Sequence, residues 1–166
     1  FYGYPGIGKS SISYALVNDL NVPYQVFNAS IDKKEKLIQI IETAKLSKGW
    51  YVIILEEIHR LNKDKQDILL PYLENGTIYM FASTTENPYF VINPAIRSRS
   101  QILELQPVSV DEAFEGLKKT FKRYKLNIKL PDEVLKKICI QTNGDIRSAI
   151  NIVDVLNFLY KGKTIN

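Results

Sequence analysis

The sequence predicts an α/β protein, with a mostly parallel β-sheet flanked by helices and a small all-α domain after it. Over residues 1–106, apolar runs rich in β-branched residues alternate with helical stretches, which is typical of parallel strands joined by crossover helices. Over residues 107–166, three helical stretches follow one another with no strand-like run between them. We therefore expect two domains, an α/β core over 1–106 and a helical domain over 107–166.

The composition is that of a globular protein. Of the 166 residues, 45% are hydrophobic and 24% are charged, which excludes disordered and low-complexity classes. No apolar stretch reaches the roughly 20 residues that a membrane-spanning helix needs. These short apolar stretches predict no membrane partner. The single cysteine, Cys139, cannot form an internal disulfide, so we expect a cytoplasmic protein. The net charge of +4 is compatible with nucleic-acid binding without requiring it.

Two runs, at residues 51–55 and 78–82, predict buried strands because both are unbroken apolar sequences. Residues 22–27 and 101–105 are weaker strand candidates.

The chain begins with Phe1 and shows neither an initiator methionine nor a signal-peptide pattern, so we expect an excerpt of a longer protein. The first strand of the sheet is then expected to be largely missing.

Helices of the core are predicted over residues 10–20, 33–46 and 66–73. The side chains expected to face the sheet follow helical spacing: Ile12, Leu16 and Leu20 in the first helix, and Leu37, Ile41 and Ala44 in the second. In the helical domain, Ser109 and Glu112 predict a capping box. The inward-facing residues expected there are Ala113, Leu117, Phe121 and Tyr124 in the first helix, and Ile146, Ala149, Ile150, Val153 and Leu156 in the third.

Residues 3–10 read Gly-Tyr-Pro-Gly-Ile-Gly-Lys-Ser, which satisfies the phosphate-binding pattern G-x-x-x-x-G-K-[ST] in full. Glycines let such a loop wrap closely, so that its backbone N–H groups face phosphate oxygens, and the following helix presents its positive end to the anion. Lys9 would reach the β- and γ-phosphates, and Ser10 would offer its hydroxyl to Mg²⁺. The nucleotide-binding residues expected are Gly3, Pro5, Gly6, Ile7, Gly8, Lys9, Ser10 and Ser11.

Two acids, Glu56 and Glu57, follow the apolar run at 51–55. A hydrophobic strand that ends in two acids is the second half of a nucleoside-triphosphatase site. The first acid, Glu56, is expected to hold Mg²⁺, although glutamate stands here where aspartate is usual. The second, Glu57, is expected to act as general base on the attacking water.

The nucleotide is predicted to carry adenine. A GTPase would need Asn-Lys-x-Asp, whereas residues 62–65 read Asn-Lys-Asp-Lys, and residues 56–59 do not supply Asp-x-x-Gly. His59, the only histidine, is expected to be a hinge or hydrogen-bonding residue, since no metal-binding pattern surrounds it in the sequence.

Together these motifs resemble those of AAA+ ATPases. Residues 56–63 (Glu-Glu-Ile-His-Arg-Leu-Asn-Lys) and 83–88 (Ser-Thr-Thr-Glu-Asn-Pro) resemble in particular the replication-associated recombination protein A family, RarA or MgsA, whose eukaryotic relative is the Werner helicase-interacting ATPase. The Glu-Ile-His-Arg-Leu piece is shared with the Holliday-junction branch-migration motor, and the Ser-Arg and Gly-Asp-x-Arg motifs with clamp-loader subunits. The resemblance covers essentially the whole chain and implies a P-loop AAA+ core with a helical lid.

The resemblance implies roles for residues beyond the phosphate loop. Besides Glu57 as base, Thr85 matches the first sensor, with Thr84 as the alternative because either threonine fits the register. Arg99, in a Ser-Arg pair, matches an arginine finger that acts on the γ-phosphate of the neighbouring subunit. Arg147, in a Gly-Asp-Ile-Arg sequence, matches the second sensor and would contact the nucleotide.

The resemblance also implies a function and partners. We expect an ATP- and Mg²⁺-dependent, DNA-stimulated ATPase that acts on stalled or gapped replication forks and associates with the nucleoid. The family assembles as tetramers through a C-terminal domain, and single-strand-binding protein is a further expected partner. Clustered Lys118, Lys119 and Lys122 are candidates for DNA-backbone contact. Two alternatives stay open: a clamp-loader or branch-migration type of AAA+ motor, and an ATP-gated scaffold with little turnover.

Overall fold

The structure, a computed structural model, describes residues 1–123 and 128–160. Within these residues it contains three strands, eight α-helices and one 3-10 turn. The strands are β1 (Tyr24–Asn28), β2 (Val52–Glu56) and β3 (Tyr79–Ala82). The helices are α1 (Lys9–Leu20), α2 (Lys34–Leu46), α3 (Lys63–Glu74), α4 (Pro88–Val91), α5 (Pro94–Arg97), α6 (Val110–Arg123), α7 (Asp132–Gln141) and α8 (Ile146–Leu159).

The three strands form a parallel sheet in the order β1-β2-β3. Tyr2 adds parallel bridges to Thr84 and Glu104, so the first three residues lie between the end of β3 and the segment 103–105. Because the strands run in one direction, their carboxyl ends meet at one edge of the sheet, where Asn28 and Glu56 are register partners. The predicted α/β class with a parallel sheet flanked by helices is confirmed.

Strand β2 is buried on both faces, as its unbroken apolar sequence predicts. Val52 and Ile54 pack with Val17 of α1 on one face. Ile53 and Leu55 belong to the larger core on the other face. That core also includes the expected residues of α2, namely Leu37, Ile41 and Ala44. Helix α1 is thereby held against the strand that carries the two acids.

The stripe predicted for α1, namely Ile12, Leu16 and Leu20, is wrong. The buried residues of α1 are Lys9, Ser13 and Val17. A serine can face the sheet because its hydroxyl donates a hydrogen bond to the Lys9 carbonyl, at 3.3 Å. Leu16 and Leu20 line, with residues of β3 and of the segment 101–103, a largely apolar cavity of about 550 Å³.

Three short elements at the carboxyl edge are not predicted by the sequence pattern: the 3-10 turn Ile58–Arg60 and helices α4 and α5. Helices α4 and α5 each begin with an Asn-Pro pair. The side chain of Asn87 accepts the Tyr89 N–H, and that of Asn93 accepts the Ala95 N–H, both at 2.9 Å. Each asparagine caps a helix whose first residue is proline, which is favoured at that position.

The chain divides into two compact units, Phe1–Gly3 with Lys9–Leu105, and Tyr4–Gly8 with Gln106–Asn166. In the described part of the second unit, α6, α7 and α8 pack around a core that includes the buried residues Ala113, Leu117, Leu135, Ile138, Cys139, Ala149 and Val153. The inward faces predicted for α6 and α8 are confirmed, while Tyr124 lies outside the described residues. The division into domains at residue 106 stays a prediction.

The predicted capping box at the start of α6 is confirmed. The Ser109 hydroxyl accepts the Glu112 N–H at 3.3 Å, and the Ser109 N–H donates to the Glu112 carboxylate at 2.9 Å. The hydrogen bonds from Ser109 lower the pKa of Glu112. Among the described residues, no helix has both the length and the apolarity to cross a membrane.

Candidate functional site: a phosphate loop and an acidic sheet edge

The last two residues of the phosphate-binding sequence, Lys9 and Ser10, are the first two residues of α1. Gly6 and Gly8 have φ angles of 76° and 95°, in the region where glycine is strongly favoured over residues with a Cβ atom. Gly6 is restricted a second time, because a Cβ atom there would lie 2.1 Å from Oδ1 of Asp145. Gly6 and Gly8 are therefore required by their own backbone conformation, and Gly6 also by the close approach of the Asp145 side chain.

The Lys9 side chain turns back toward the start of the loop. Its Nζ donates a hydrogen bond to the Gly3 carbonyl, at 2.9 Å, and the residue is only 8% exposed. The next residue, Ser10, lies in the first turn of α1 and is half-buried, whereas Ser11 is exposed. The first turn of α1 thus presents a buried ammonium group and a hydroxyl at the positive end of the helix.

Glu56 is the last residue of β2, at the carboxyl edge of the sheet. The amide Nδ2 of Asn28, at the end of β1, donates to Glu56 Oε2 at 3.3 Å. Burial raises the pKa of Tyr14 on α1, and the negative charge of Glu56 raises it further. The carboxylate therefore acts on the helix that begins with Lys9, and Lys9, Ser10 and Glu56 lie in one unit.

Glu57 leaves the strand in an uncommon conformation. Its φ and ψ angles are 56° and 43°, the left-handed region that few residues other than glycine adopt. This turn points the backbone into the 3-10 turn Ile58–Arg60 rather than along β2. The Glu57 side chain is 39% exposed, and its Oε2 lies 3.3 Å from Nε2 of His59.

The two threonines that follow β3 have different environments. Thr85, the predicted first sensor, is exposed. Thr84, the alternative, is 2% exposed, and its hydroxyl lies 3.0 Å from Nδ1 of His59. The structure thus brings Glu57, His59 and Thr84 together and leaves Thr85 outside this group of contacts. The assignment of the sensor role between the two threonines stays a prediction.

His59 is confirmed as a hydrogen-bonding residue. The sequence does not indicate that His59 belongs to the site, because its partner Thr84 lies 25 positions further along the chain. The one available signal was its place two residues after Glu57. Among the described residues, no group of three metal-binding side chains forms a metal site.

Arg99 lies after α5 and is held by exposed groups. Its Nη2 is 2.6 Å from Oε1 of Glu74 on α3, and the two side chains are 43% and 49% exposed. Its Nη1 also donates to the Ala95 carbonyl at 2.9 Å. The guanidinium carbon of Arg97, two residues before Arg99, lies 5.2 Å from the centre of the Tyr89 ring.

Arg147, the predicted second sensor, is exposed in the first turn of α8. Asp145 caps that helix by accepting the Ser148 N–H at 3.1 Å. Gly144, with φ of 77°, packs so closely that a Cβ atom would lie 2.1 Å from the Val108 carbonyl oxygen. The Gly-Asp pair of the motif therefore determines where α8 begins, and so places Arg147 at the second position of that helix.

A comparison with protein-family models decides the family. Residues 1–108 match the model described as the ATPase family associated with various cellular activities (AAA). The chain belongs to the AAA ATPase family. The match covers the phosphate loop, both acids, both threonines and Arg99, so these AAA motifs lie within the shared part of the sequence.

Within the AAA family, the resemblance to replication-associated recombination protein A is confirmed. The protein of that name from Bacillus subtilis is 40% identical over 159 residues, covering 93% of this chain and 38% of the relative. The one from Escherichia coli K12 is 31% identical over 163 residues, covering 93% of this chain and 36% of the relative. The chain thus spans less than two-fifths of the length of these relatives.

A comparison with solved structures shows the AAA fold. The RuvB Holliday junction branch migration motor of Thermotoga maritima superimposes with a TM-score of 0.78 and 23% identity. The superposition covers 98% of this chain and 56% of that one.

Proposed function

We propose that this chain is the nucleotide-hydrolysing module of a protein that binds ATP and hydrolyses it between subunits. The observation that carries the proposal is that the helix start bearing Lys9 and Ser10 lies in the same unit as the strand end bearing Glu56. Helix α1, which begins with Lys9 and Ser10, packs through Val17 on β2, and β2 ends in Glu56. Glu57 follows directly. A lysine and a hydroxyl at the start of a helix, in one unit with two acids at the end of a strand, are parts that phosphoryl transfer requires.

The side chains expected around Mg²⁺ suit that ion. Ser10 offers a hydroxyl and Glu56 a carboxylate, and Mg²⁺ prefers such hard oxygen ligands. The Asn28 amide that donates to Glu56 leaves the second carboxylate oxygen, Oε1, for a cation. When bound, the ion would neutralise charge that develops on the phosphates. Lys9, by reaching the β- and γ-phosphates, would replace its present bond to the Gly3 carbonyl with bonds to the nucleotide.

The remaining residues act on the water and on the γ-phosphate. Glu57 is proposed to accept a proton from the attacking water. Thr85, or Thr84 beside His59, is proposed to sense the γ-phosphate. Arg99 is proposed to reach the site of a neighbouring subunit, and Arg147 to bind the nucleotide and couple it to the helices of the second unit.

The role of the full-length protein is proposed from its relatives. Replication-associated recombination proteins are named for replication and recombination. We therefore propose that the full-length polypeptide works in the cytoplasm at the nucleoid, forms tetramers, and uses ATP on stalled or gapped forks, with single-strand-binding protein as a partner. Stimulation of its ATPase activity by single-stranded DNA follows from the same proposal.

DNA contact is proposed at the lysines of α6. Lys118 forms an ion pair with Asp132, which raises its pKa, and it lies 5.5 Å from the centre of the Phe114 ring. Its charge is therefore partly neutralised within the chain. Lys119 and Lys122 are the better candidates. Reversing both charges (K119E/K122E) should flatten the salt dependence of DNA binding by about one unit of slope per lost phosphate contact.

The proposal is tested by ATP turnover of the full-length polypeptide, with and without single-stranded DNA. Lys9→Ala should weaken ATP binding by about tenfold to a hundredfold, because a charge-assisted hydrogen bond is lost. Lys48→Ala is the matched control, since Lys48 is exposed in the loop between α2 and β2. A wild-type protein that binds ATP but hydrolyses it no faster than Glu57→Gln would contradict the proposal and support the ATP-gated scaffold.

A further inference from the structure

His59 lies between two groups that are proposed to act in hydrolysis. Its side chain is only 3% exposed. Nδ1 lies 3.0 Å from the Thr84 hydroxyl oxygen, and Nε2 lies 3.3 Å from Oε2 of Glu57. A second carboxylate, that of Glu86, is 3.8 Å from the same Nε2. Each ring nitrogen therefore faces a different polar partner.

The chemistry of these partners fixes the arrangement of protons on a neutral ring. An ionised carboxylate can only accept, so the proton of the imidazole belongs on Nε2, which faces Glu57 and Glu86. Nδ1 then accepts, and the Thr84 hydroxyl donates to it at 3.0 Å, a shorter contact than the 3.4 Å from the same hydroxyl to the Glu86 carbonyl oxygen. The Thr84 oxygen in turn accepts the Glu86 N–H at 3.0 Å. The result is a chain of polar contacts from the backbone of residue 86 through Thr84 and His59 to Glu57.

This chain of contacts joins two neighbouring strands at their carboxyl ends. Glu57 follows β2, and Thr84 follows β3. The backbone supports the contact, because the Ile58 N–H donates to the Ser83 carbonyl at 3.0 Å. The Glu57 backbone is held in the left-handed region, while its side chain is partly exposed and would otherwise be free to change rotamer. A buried imidazole is the rigid partner that restricts it.

We propose that His59 is a positioning residue for ATP hydrolysis. Its Nε2 orients the Glu57 carboxylate, and the contact of its Nδ1 with Thr84 fixes the orientation of the imidazole ring. This inference rests on the proposed function, because it assigns Glu57 as the base. His59 makes and breaks no covalent bond, and its proton stays on Nε2. Its effect is geometric, and misplacing a catalytic group by about 1 Å can cost as much as a hundredfold in rate.

The test is a set of single-turnover and steady-state measurements on the full-length polypeptide. His59→Ala should lower kcat by about tenfold or more while the Kd for ATP changes by less than about threefold, since the lost contact is to the base and not to the nucleotide. His59→Gln places an amide donor where Nε2 lies and should recover most of kcat. His59→Asn places its amide nearer to Thr84 and should recover less.

A double-mutant cycle separates positioning from a general structural role. In a Glu57→Gln background, His59→Ala should cause no further loss of single-turnover rate, because the group that His59 aims is already gone. An equal loss in both backgrounds would overturn the inference. So would a kcat for His59→Ala within about twofold of the wild type.

If His59→Ala does not fold, the two amide variants at this position provide the test, since both keep a polar side chain. A kcat for His59→Asn several-fold below that of His59→Gln, with unchanged ATP affinity, supports the inference, and equal kcat values for the two variants overturn it. An inactive wild-type protein would overturn the proposed function and this inference together. An active wild type that is sensitive to Glu57→Gln but not to changes at His59 would overturn this inference alone.

Discussion

The carboxyl edge of the sheet and the segment after α5 hold their charged side chains in different ways. At the sheet edge, Glu57 contacts His59, which is 3% exposed and is itself held by Thr84. After α5, Arg99 pairs with Glu74, and both side chains are more than 40% exposed. Buried polar contacts fix geometry, whereas exposed ion pairs contribute under about 1 kcal/mol and exchange readily. Under the proposed roles, the base is held within its own subunit, and the arginine can give up its ion pair to reach another subunit.

The largest effect on the rate of hydrolysis is expected at the carboxyl edge of the sheet, where Glu57 contacts the buried His59. Glu57→Gln removes the base without changing the size of the side chain, so hydrolysis should fall by about a hundredfold to ten-thousandfold while ATP still binds. Single-turnover hydrolysis and nucleotide-binding assays measure the two quantities separately. Glu104→Gln is a control acid on the segment beside Tyr2, and it should leave turnover near the wild-type rate. Equal losses in the two variants would show that Glu57 has no special role.

Arg99→Ala should lower the rate of ATP hydrolysis by about a hundredfold or more, because an arginine finger stabilises the negative charge of the transition state. Arg97→Ala is the matched control two residues away. Mixing Arg99→Ala with Lys9→Ala subunits should restore part of the activity, since a mixed interface combines an intact phosphate loop with an intact arginine. Mixed assemblies that stay as inactive as either variant would show that Arg99 does not act between subunits.

Glu74→Ala tests whether the exposed ion pair limits turnover, because it removes the partner of Arg99. The arginine then reaches a neighbouring γ-phosphate without first giving up an ion pair, so turnover should rise, by at most about fivefold. Glu42→Ala is the control, because Glu42 forms an ion pair with Lys45 at 2.7 Å on the surface of α2. A fall in turnover would mean that Glu74 positions the arginine in the active assembly.

The smallest effect is expected on stability, at the start of α3, the helix that carries Glu74. Asn62 caps α3 by accepting the Lys65 N–H at 3.1 Å, so Asn62→Ala should lower the free energy of unfolding by about 1 kcal/mol. Urea unfolding followed by circular dichroism measures this change. Asn18→Ala, at an exposed position of α1, should change it by less than about 0.5 kcal/mol. Equal changes in both variants would indicate that the cap does not contribute.

The sequence predicts those parts of the fold that depend on continuous patterns. Strand β2 is an unbroken apolar run, and its burial on both faces follows from that alone. The stripe of α1 was misplaced because Ser13, a polar residue, faces the sheet once its hydroxyl is bonded within the helix. Helical spacing alone cannot show that a leucine such as Leu16 faces a cavity instead of the sheet core.

The site is predictable where its residues form a contiguous motif, and not where folding brings distant residues together. The phosphate loop and the acid pair are each read directly from the chain. The contacts of His59 with Thr84 and of Arg99 with Glu74 each join residues 25 positions apart. Nothing in the sequence indicates that Glu57 adopts a positive φ angle, because glutamate has no preference for it.

The most direct test of the account is a calorimetric titration of the full-length polypeptide with ATP in the presence of Mg²⁺. We predict saturable binding of one nucleotide per chain, weakened about tenfold or more by Lys9→Ala and unchanged by Lys48→Ala. A folded wild-type protein that takes up no ATP under these conditions would contradict the account.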